Sequence, residues 1–343
     1  MLKVNVLVAH HLARPEDIAA IAAVHPSVNV THAPFVDEMT RAWVQSFRED
    51  AIQPVLDVKG VEFERQAGTA EIIFALGLPK DIVLIAPNLA WVHAYSAGVD
   101  YLAGTGLLEK GVKLTSSSGV NSAPIAEFCM MFMLMYVKRM TTRLAAQRQH
   151  QWARYTNEEL RGRTVGIVGL GRIGSEVAKR ASAFGMHVLA AKRSSNIGEG
   201  RSFVDELYDR DRLHEMIGRC DFVVVAVSLT NETVRLIGAA EFSAMKRGTF
   251  FINVSRGAVV DEQALIEALR SGHLGGAGLD VFENEPLPPT SPLWALPNVI
   301  VTAHNSGSIR EHAKRATHLF CENLLRYLNE RPLENEVDPQ KGY

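Results

Sequence analysis

Three glycines stand in the pattern Gly169-x-Gly171-x-x-Gly174, within Val165-Gly-Ile-Val-Gly-Leu-Gly-Arg-Ile-Gly174. A short apolar stretch, Thr164 to Val168, precedes them, and an amphipathic stretch, Ile173 to Phe184, follows. In that context each glycine has a task. Gly169 allows a tight turn, Gly171 lets a phosphate reach the backbone, and Gly174 lets a helix close on the strand. A pyrophosphate at such a helix start meets N–H groups with no intrahelical partner and the positive end of the helix dipole. The chemistry indicated is dinucleotide binding. About 20 residues on, an acid would hold a ribose 2′-hydroxyl, but the chain reads Ala190-Ala191-Lys192-Arg193-Ser194-Ser195. Lys192 and Arg193 suit a 2′-phosphate, with Ser194 adding a hydroxyl. NADP(H) is therefore the expected cofactor, with NAD(H) admissible.

Positioning such a loop requires alternating strands and helices. Strands are expected at Val4 to Ala9, Glu71 to Leu76, Trp91 to Ser96 and Val112 to Thr115, with a helix opened by Pro15-Glu16-Asp17. A long helix is expected over Asn121 to Met140, then a polar loop over Arg143 to Thr164. A second series follows, with strands at Thr164 to Val168, His187 to Ala191, Asp221 to Val227, Thr249 to Val254, Gly275 to Leu279 and Val299 to Val301. Its helices are expected at Ile173 to Phe184, Leu207 to Ile217, Ala239 to Met245, Glu262 to Ser271 and Ser308 to Asn329. Alternation of this kind predicts an α/β protein with parallel sheets.

The 343 residues suffice for two domains, and 47% hydrophobic with 22% charged residues is an ordinary globular balance. Thirty-six Lys and Arg against 38 Asp and Glu give a net charge of −2, which speaks against nucleic acid or an anionic membrane as partner. Cys129, Cys220 and Cys321 are sparse, odd in number and in no ligand spacing, so a cytoplasmic, reducing location and no metal are expected. The start of the chain has too short an apolar stretch for a secretory signal. The longest purely apolar run, Phe128 to Val137, is too short to span a bilayer. With Met130, Met131, Met133 and Met135 it is apolar on more faces than one lobe covers, which points to a homodimer.

Ordered motifs along nearly the whole chain carry a resemblance. They are Ser96-Ala-Gly-Val-Asp100, Ala126-Glu127, Leu160-Arg-Gly-Arg-Thr-Val-Gly-Ile-Val-Gly169, Ser228-Leu-Thr-Asn-Glu-Thr233 and Asn253-Val-Ser-Arg-Gly-Ala-Val-Val-Asp261. Further along come Gly278-Leu-Asp-Val-Phe-Glu-Asn-Glu-Pro286, Ser291-Pro-Leu-Trp-Ala-Leu-Pro-Asn298 and Val301-Thr-Ala-His304. The chain resembles the D-isomer-specific 2-hydroxyacid dehydrogenases, which include glyoxylate/hydroxypyruvate reductases and phosphoglycerate dehydrogenase.

The resemblance implies two Rossmann-like or flavodoxin-like lobes. A cofactor lobe of residues 121–305 is inserted into a discontinuous substrate lobe of residues 1–120 and 306–343. It implies a catalytic set of Arg256, Glu285 and His304. Arg256 would hold a 2-ketoacid carboxylate by two parallel N–H bonds, His304 would carry the proton, and Glu285 would hold the other ring nitrogen. Arg172 and Ile173 fall on the pyrophosphate loop, Val254 and Ser255 below the nicotinamide, and Asp280 at the carboxamide. Leu76, Gly77, Ala97 and Gly98 fall on loops that receive the substrate carboxylate. Closure about segments near residues 120 and 305 is expected, and relatives dimerise through the region of the Phe128 to Val137 helix.

Departures from the family pattern bear on the substrate. Thr302-Ala-His-Asn305 stands for the frequent Thr-Pro-His-Ile, Ser116-Ser-Ser-Gly119 for Asn-Thr-Pro-Gly, and Val227-Ser-Leu-Thr230 for Leu-Pro-Leu-Thr. The expected function is NADP(H)-dependent reduction of a small 2-ketoacid, glyoxylate or hydroxypyruvate first. The alternatives are a non-catalytic dinucleotide sensor of the same fold and a relative acting on phosphite; Glu285, where formate enzymes carry Gln, speaks against formate.

Overall fold

The computed structural model describes residues 3–37, 41, 60–192 and 199–338. Two compact units are present, Met1–Val120 with Ile309–Tyr343, and Asn121–Ser308. Each has its own parallel sheet among the described residues.

The first unit runs β1 (Val4–Val8), α1 (Pro15–Ala22), β2 (Val28–His32), α2 (Gly60–Ala67), β3 (Ile72–Ala75), α3 (Ile82–Ile85), β4 (Trp91–Ala94) and β5 (Lys113–Ser116). Its strand order is β2-β1-β3-β4-β5. β3 and β4 are buried at every position, as a sheet covered on both faces requires. β2, for which the sequence raised no expectation, is half-buried and sits at the sheet edge.

The second unit opens with α4 (Ser122–Val137) and α5 (Met140–Arg148). The single helix expected to Met140 is broken here. Arg139 takes a left-handed φ of 49° and the chain restarts as α5. Arg143 to Arg148 are thus helical rather than loop. Ala146 is the one buried residue of α5, which left no apolar stripe to read.

Next come β6 (Thr164–Val168), α6 (Arg172–Ala183), β7 (His187–Lys192) and β8 (Glu206–Asp209). The helix expected from Leu207 is corrected, because residues 206–209 pair with β7 as an edge strand and the helix α7 is only Leu213–Ile217. After these follow β9 (Phe222–Val225), α8 (Ala239–Ala244), β10 (Phe250–Asn253), α9 (Glu262–Arg270), β11 (Gly276–Leu279) and β12 (Val299–Val301). The order β12-β11-β10-β9-β6-β7-β8 places a topological switch point between β6 and β9. α4 lies close to β11 because Gly278 has no side chain; a Cβ there would stand 2.6 Å from the Phe132 ring.

α10 (His312–Leu328) returns to the first unit. Ala316, Phe320 and Leu324 repeat every four residues and are buried. Phe320 stacks on Phe74 at 4.7 Å and on Trp91 at 5.2 Å, so the C-terminal helix completes the core of the N-terminal sheet. Among the described residues no helix is long and apolar enough to cross a membrane, and no cluster of His, Cys, Asp and Glu could hold a metal ion.

Candidate active site

The glycine loop joins β6 to α6 at the switch point. Gly169 has φ of 101°, and a Cβ on it would lie 2.7 Å from the Ala226 carbonyl oxygen. A Cβ on Gly174 would lie 2.0 Å from the Gly169 oxygen, so neither position tolerates a side chain. Gly171 differs, since a Cβ there meets nothing within 4 Å. It caps α6 in an extended conformation, and the first intrahelical bond runs from Ser175 N–H to its oxygen. The N–H groups of Arg172, Ile173 and Gly174 precede that bond and have no intrahelical acceptor. Open space over Gly171 beside three helix-start donors fits a dinucleotide pyrophosphate.

Lys192 ends β7 and is half-buried. Arg193 and Ser194 lie outside the described residues. The register of β8 sets Asp209 beside Lys192, an acid 17 residues further along the chain.

At the end of β10, the buried Asn253 shapes the next turn. Its Oδ1 accepts from Ser255 N–H at 3.1 Å and Oγ–H at 2.8 Å, and its amide donates to the Arg256 oxygen at 3.1 Å. Val254 and Ser255 are both buried in this turn. Gly257 then packs on the neighbouring backbone, where a Cβ would be 1.9 Å from the Phe282 carbonyl carbon. Phe282 N–H donates to Glu285 Oε1 at 3.0 Å, and Glu285 Oε2 meets His304 Nδ1 at 2.7 Å. The Arg256 turn, Glu285 and His304 are thus joined in one mechanical series. His304 Nδ1 is engaged, its Nε2 makes no hydrogen bond among the described residues, and its side chain is 40% exposed.

Asp280, at the end of β11, is fully buried. Its Oδ1 accepts from Thr302 Oγ–H at 2.5 Å and Asn305 N–H at 3.0 Å, and its Oδ2 from Ser306 N–H at 3.0 Å. Its own carbonyl accepts from His304 N–H at 2.8 Å. Burial first, then the Asp280 carboxylate, pushes the nearby Cys129 thiol upward and keeps it neutral.

Leu76, Gly77, Ala97 and Gly98 belong to the first unit, just past β3 and β4. Ser96 Oγ–H donates to the Gly98 oxygen at 2.8 Å and shapes that turn.

Residues 130–306 match the family described as D-isomer specific 2-hydroxyacid dehydrogenase, NAD binding domain. The chain is 36% identical over 280 residues to glyoxylate/hydroxypyruvate reductase B of Pectobacterium carotovorum, covering 79% of this chain and 87% of that one. The chain belongs to the D-isomer-specific 2-hydroxyacid dehydrogenases. It is an oxidoreductase of the NAD(P)-dependent kind acting on CH–OH groups. A D-3-phosphoglycerate dehydrogenase of Methanocaldococcus jannaschii is 34% identical over 261 residues, which cover 76% of this chain but 49% of that relative's length. Among solved structures, a D-isomer specific 2-hydroxyacid dehydrogenase of Xanthobacter autotrophicus, in complex with NADPH and MES, superposes with TM-score 0.79 at 31% identity, covering 99% of this chain and 100% of that one.

Proposed function

We propose that this 2-hydroxyacid dehydrogenase is an NADPH-dependent reductase of small 2-ketoacids, with glyoxylate and hydroxypyruvate as its first substrates. The observation that carries the reading is the Glu285–His304 pair at 2.7 Å with Nε2 of His304 left over. A relative named glyoxylate/hydroxypyruvate reductase and a neighbour that holds NADPH support the choice of substrate and cofactor.

A bound reduced nicotinamide supplies the hydride; Gly169, Gly171, Gly174, Arg172 and Ile173 would hold its pyrophosphate and Lys192 its 2′-phosphate, with Arg193 and Ser194 assigned alongside by sequence. The chain's own groups do the rest. Arg256 holds the ketoacid carboxylate through its guanidinium fork. His304 delivers a proton from Nε2 as negative charge grows on the carbonyl oxygen, and takes one back in the oxidation direction. Glu285 holds Nδ1 and steadies the ring. Leu76, Gly77, Ala97 and Gly98 are assigned to the substrate carboxylate by the same resemblance, and Val254, Ser255 and Asp280 to the nicotinamide end.

We assign a homodimer as well. α4 and its neighbours leave an open groove of about 500 Å³ lined by Met130, Met131, Leu134, Met135, Met140 and Phe184. A second copy covering this face gives twice the monomer mass by light scattering, and a monomer at micromolar concentration refutes the assignment. Three unpaired cysteines, two of them buried, support a cytoplasmic setting.

The deciding test is steady-state turnover of a panel of small and bulky 2-ketoacids with NADPH and with NADH. Faster use of NADPH with glyoxylate or hydroxypyruvate is expected. Equal use of NADH overturns the cofactor assignment, and turnover confined to bulky apolar ketoacids overturns the substrate.

A further inference from the structure

We propose that Asp280 and Thr302 form a positioning clamp for His304, acting through the backbone of residues 302–306. The inference rests on the reading of His304 as the proton carrier. The resemblance assigns Asp280 to the nicotinamide carboxamide, and its carboxylate is engaged within the chain as well. A carboxylate offers about four acceptor positions, and three of those on Asp280 are filled by Thr302, Asn305 and Ser306. The carboxylate is fully buried, so a lost donor leaves it a costly unpaired acceptor.

What the clamp holds is an unfavourable backbone. His304 has φ of 48°, in the left-handed region that non-glycine residues seldom occupy. Ala303, just before it, has no ring to fix its own φ. Donors on both sides of His304 are therefore tied to one carboxylate, while His304 N–H itself is tied to the Asp280 carbonyl. With the N–H groups of His304, Asn305 and Ser306 and the Thr302 hydroxyl all held, and Nδ1 held by Glu285, the direction of Nε2 follows. A displacement on the order of 1 Å at such a group costs up to about 100-fold in rate.

The test compares Thr302→Val, Thr302→Ser and Asp280→Asn with wild type. Thr302→Val keeps the shape and removes the hydroxyl donor. We expect its kcat for glyoxylate to fall about 10-fold, with KM within about twofold and NADPH affinity by fluorescence quenching within about twofold. Thr302→Ser, which restores the hydroxyl, recovers most of kcat. Asp280→Asn turns one acceptor into a donor facing donors and falls further. Amide exchange at residues 304–306 accelerates in Thr302→Val, a readout that needs no turnover. Unchanged kcat and unchanged exchange in Thr302→Val overturn the clamp. A loss of kcat in Thr302→Val matched by an equal loss of NADPH affinity overturns it too, because the substitution then acts on cofactor binding. Failure of wild type to reduce any 2-ketoacid would instead overturn the proposed function, with the exchange measurement still deciding the clamp.

Discussion

In the five-stranded sheet a buried polar series ties β4 to β5 and the residue just past it, whereas in the seven-stranded sheet the buried Asn253 and Asp280 stand at the ends of β10 and β11. In the first, Trp91 Nε1–H donates to Thr115 Oγ at 2.9 Å, and Thr115 Oγ meets His93 Nδ1 at 2.6 Å. His93 Nε2 meets Ser117 Oγ at 3.2 Å, and Ser117 Oγ–H donates to the Ala94 oxygen at 3.0 Å. That last bond makes Ser117 accept from Nε2–H; burial keeps His93 neutral, so Nδ1 accepts from the Thr115 hydroxyl. In the seven-stranded sheet Asn253, Asp280 and Glu285 spend their acceptors on backbone N–H groups and hold turns in place. One arrangement locks strands together and is sensitive to protons. The other aims side chains and is sensitive to substitution.

The contrast is broken most severely at His304. His304→Ala is expected to lower kcat about 10³-fold while the variant still folds by circular dichroism. Retention of a tenth of the wild-type rate would remove His304 from the chemistry.

Gly257→Ala tests the packing beneath the site. Its Cβ meets the Phe282 backbone at 1.9 Å, so the turn must move. A stability loss on the order of 3 kcal/mol by chemical denaturation is expected, with activity falling alongside.

The first unit answers to pH instead. Burial pushes the His93 imidazole down to about 3, and burial, with His11 and other histidines beyond it, pushes His10 well below its ordinary value. Each folded-state value lies below that of the unfolded chain, so unfolding takes up protons. Stability is fully present above pH of about 6.5 and is lost as pH falls toward 3, at about 1.4 kcal/mol per pH unit for each histidine. His93→Gln flattens that slope in denaturation curves taken from pH 7 to pH 4. An unchanged slope would shift the acid sensitivity to other groups.

The smallest effect concerns the acid beside Lys192. Asp209 is exposed, so Asp209→Asn is expected to raise the preference for NADPH over NADH by about threefold, from the ratio of kcat/KM values. A fall in that preference would place the end of β8 away from the 2′-phosphate.

The same contrast explains what could be read in advance. Buried parallel strands such as β9 and β10 are runs of Phe, Val and Ile, and the glycine loop announces itself by spacing, so both were legible. β8 was not. Glu206-Leu-Tyr-Asp209 is a four-residue edge strand that runs straight into the helix-like Arg210 to Ile217, and only pairing with β7 decides its state. Arg256, Glu285 and His304 are proposed from ordered motifs and not from any local signal, and the fold brings Glu285 against His304. The hydrogen bonds of Asp280 escaped because its partners lie more than 20 residues away and are joined to it only when β12 is laid beside β11.

α10 also bears on how the chain comes to be made. Synthesis delivers β1 to β5 early, then all of Asn121–Ser308, and only afterwards the helix carrying Phe320. Until that helix emerges from the ribosome, Phe74 and Trp91 lack the ring that stacks on both. The inserted unit can therefore finish folding while its host is still an open sheet. Closing that core requires the capture of α10 by strands made 229 to 246 residues earlier, a long-range closure of the slow kind.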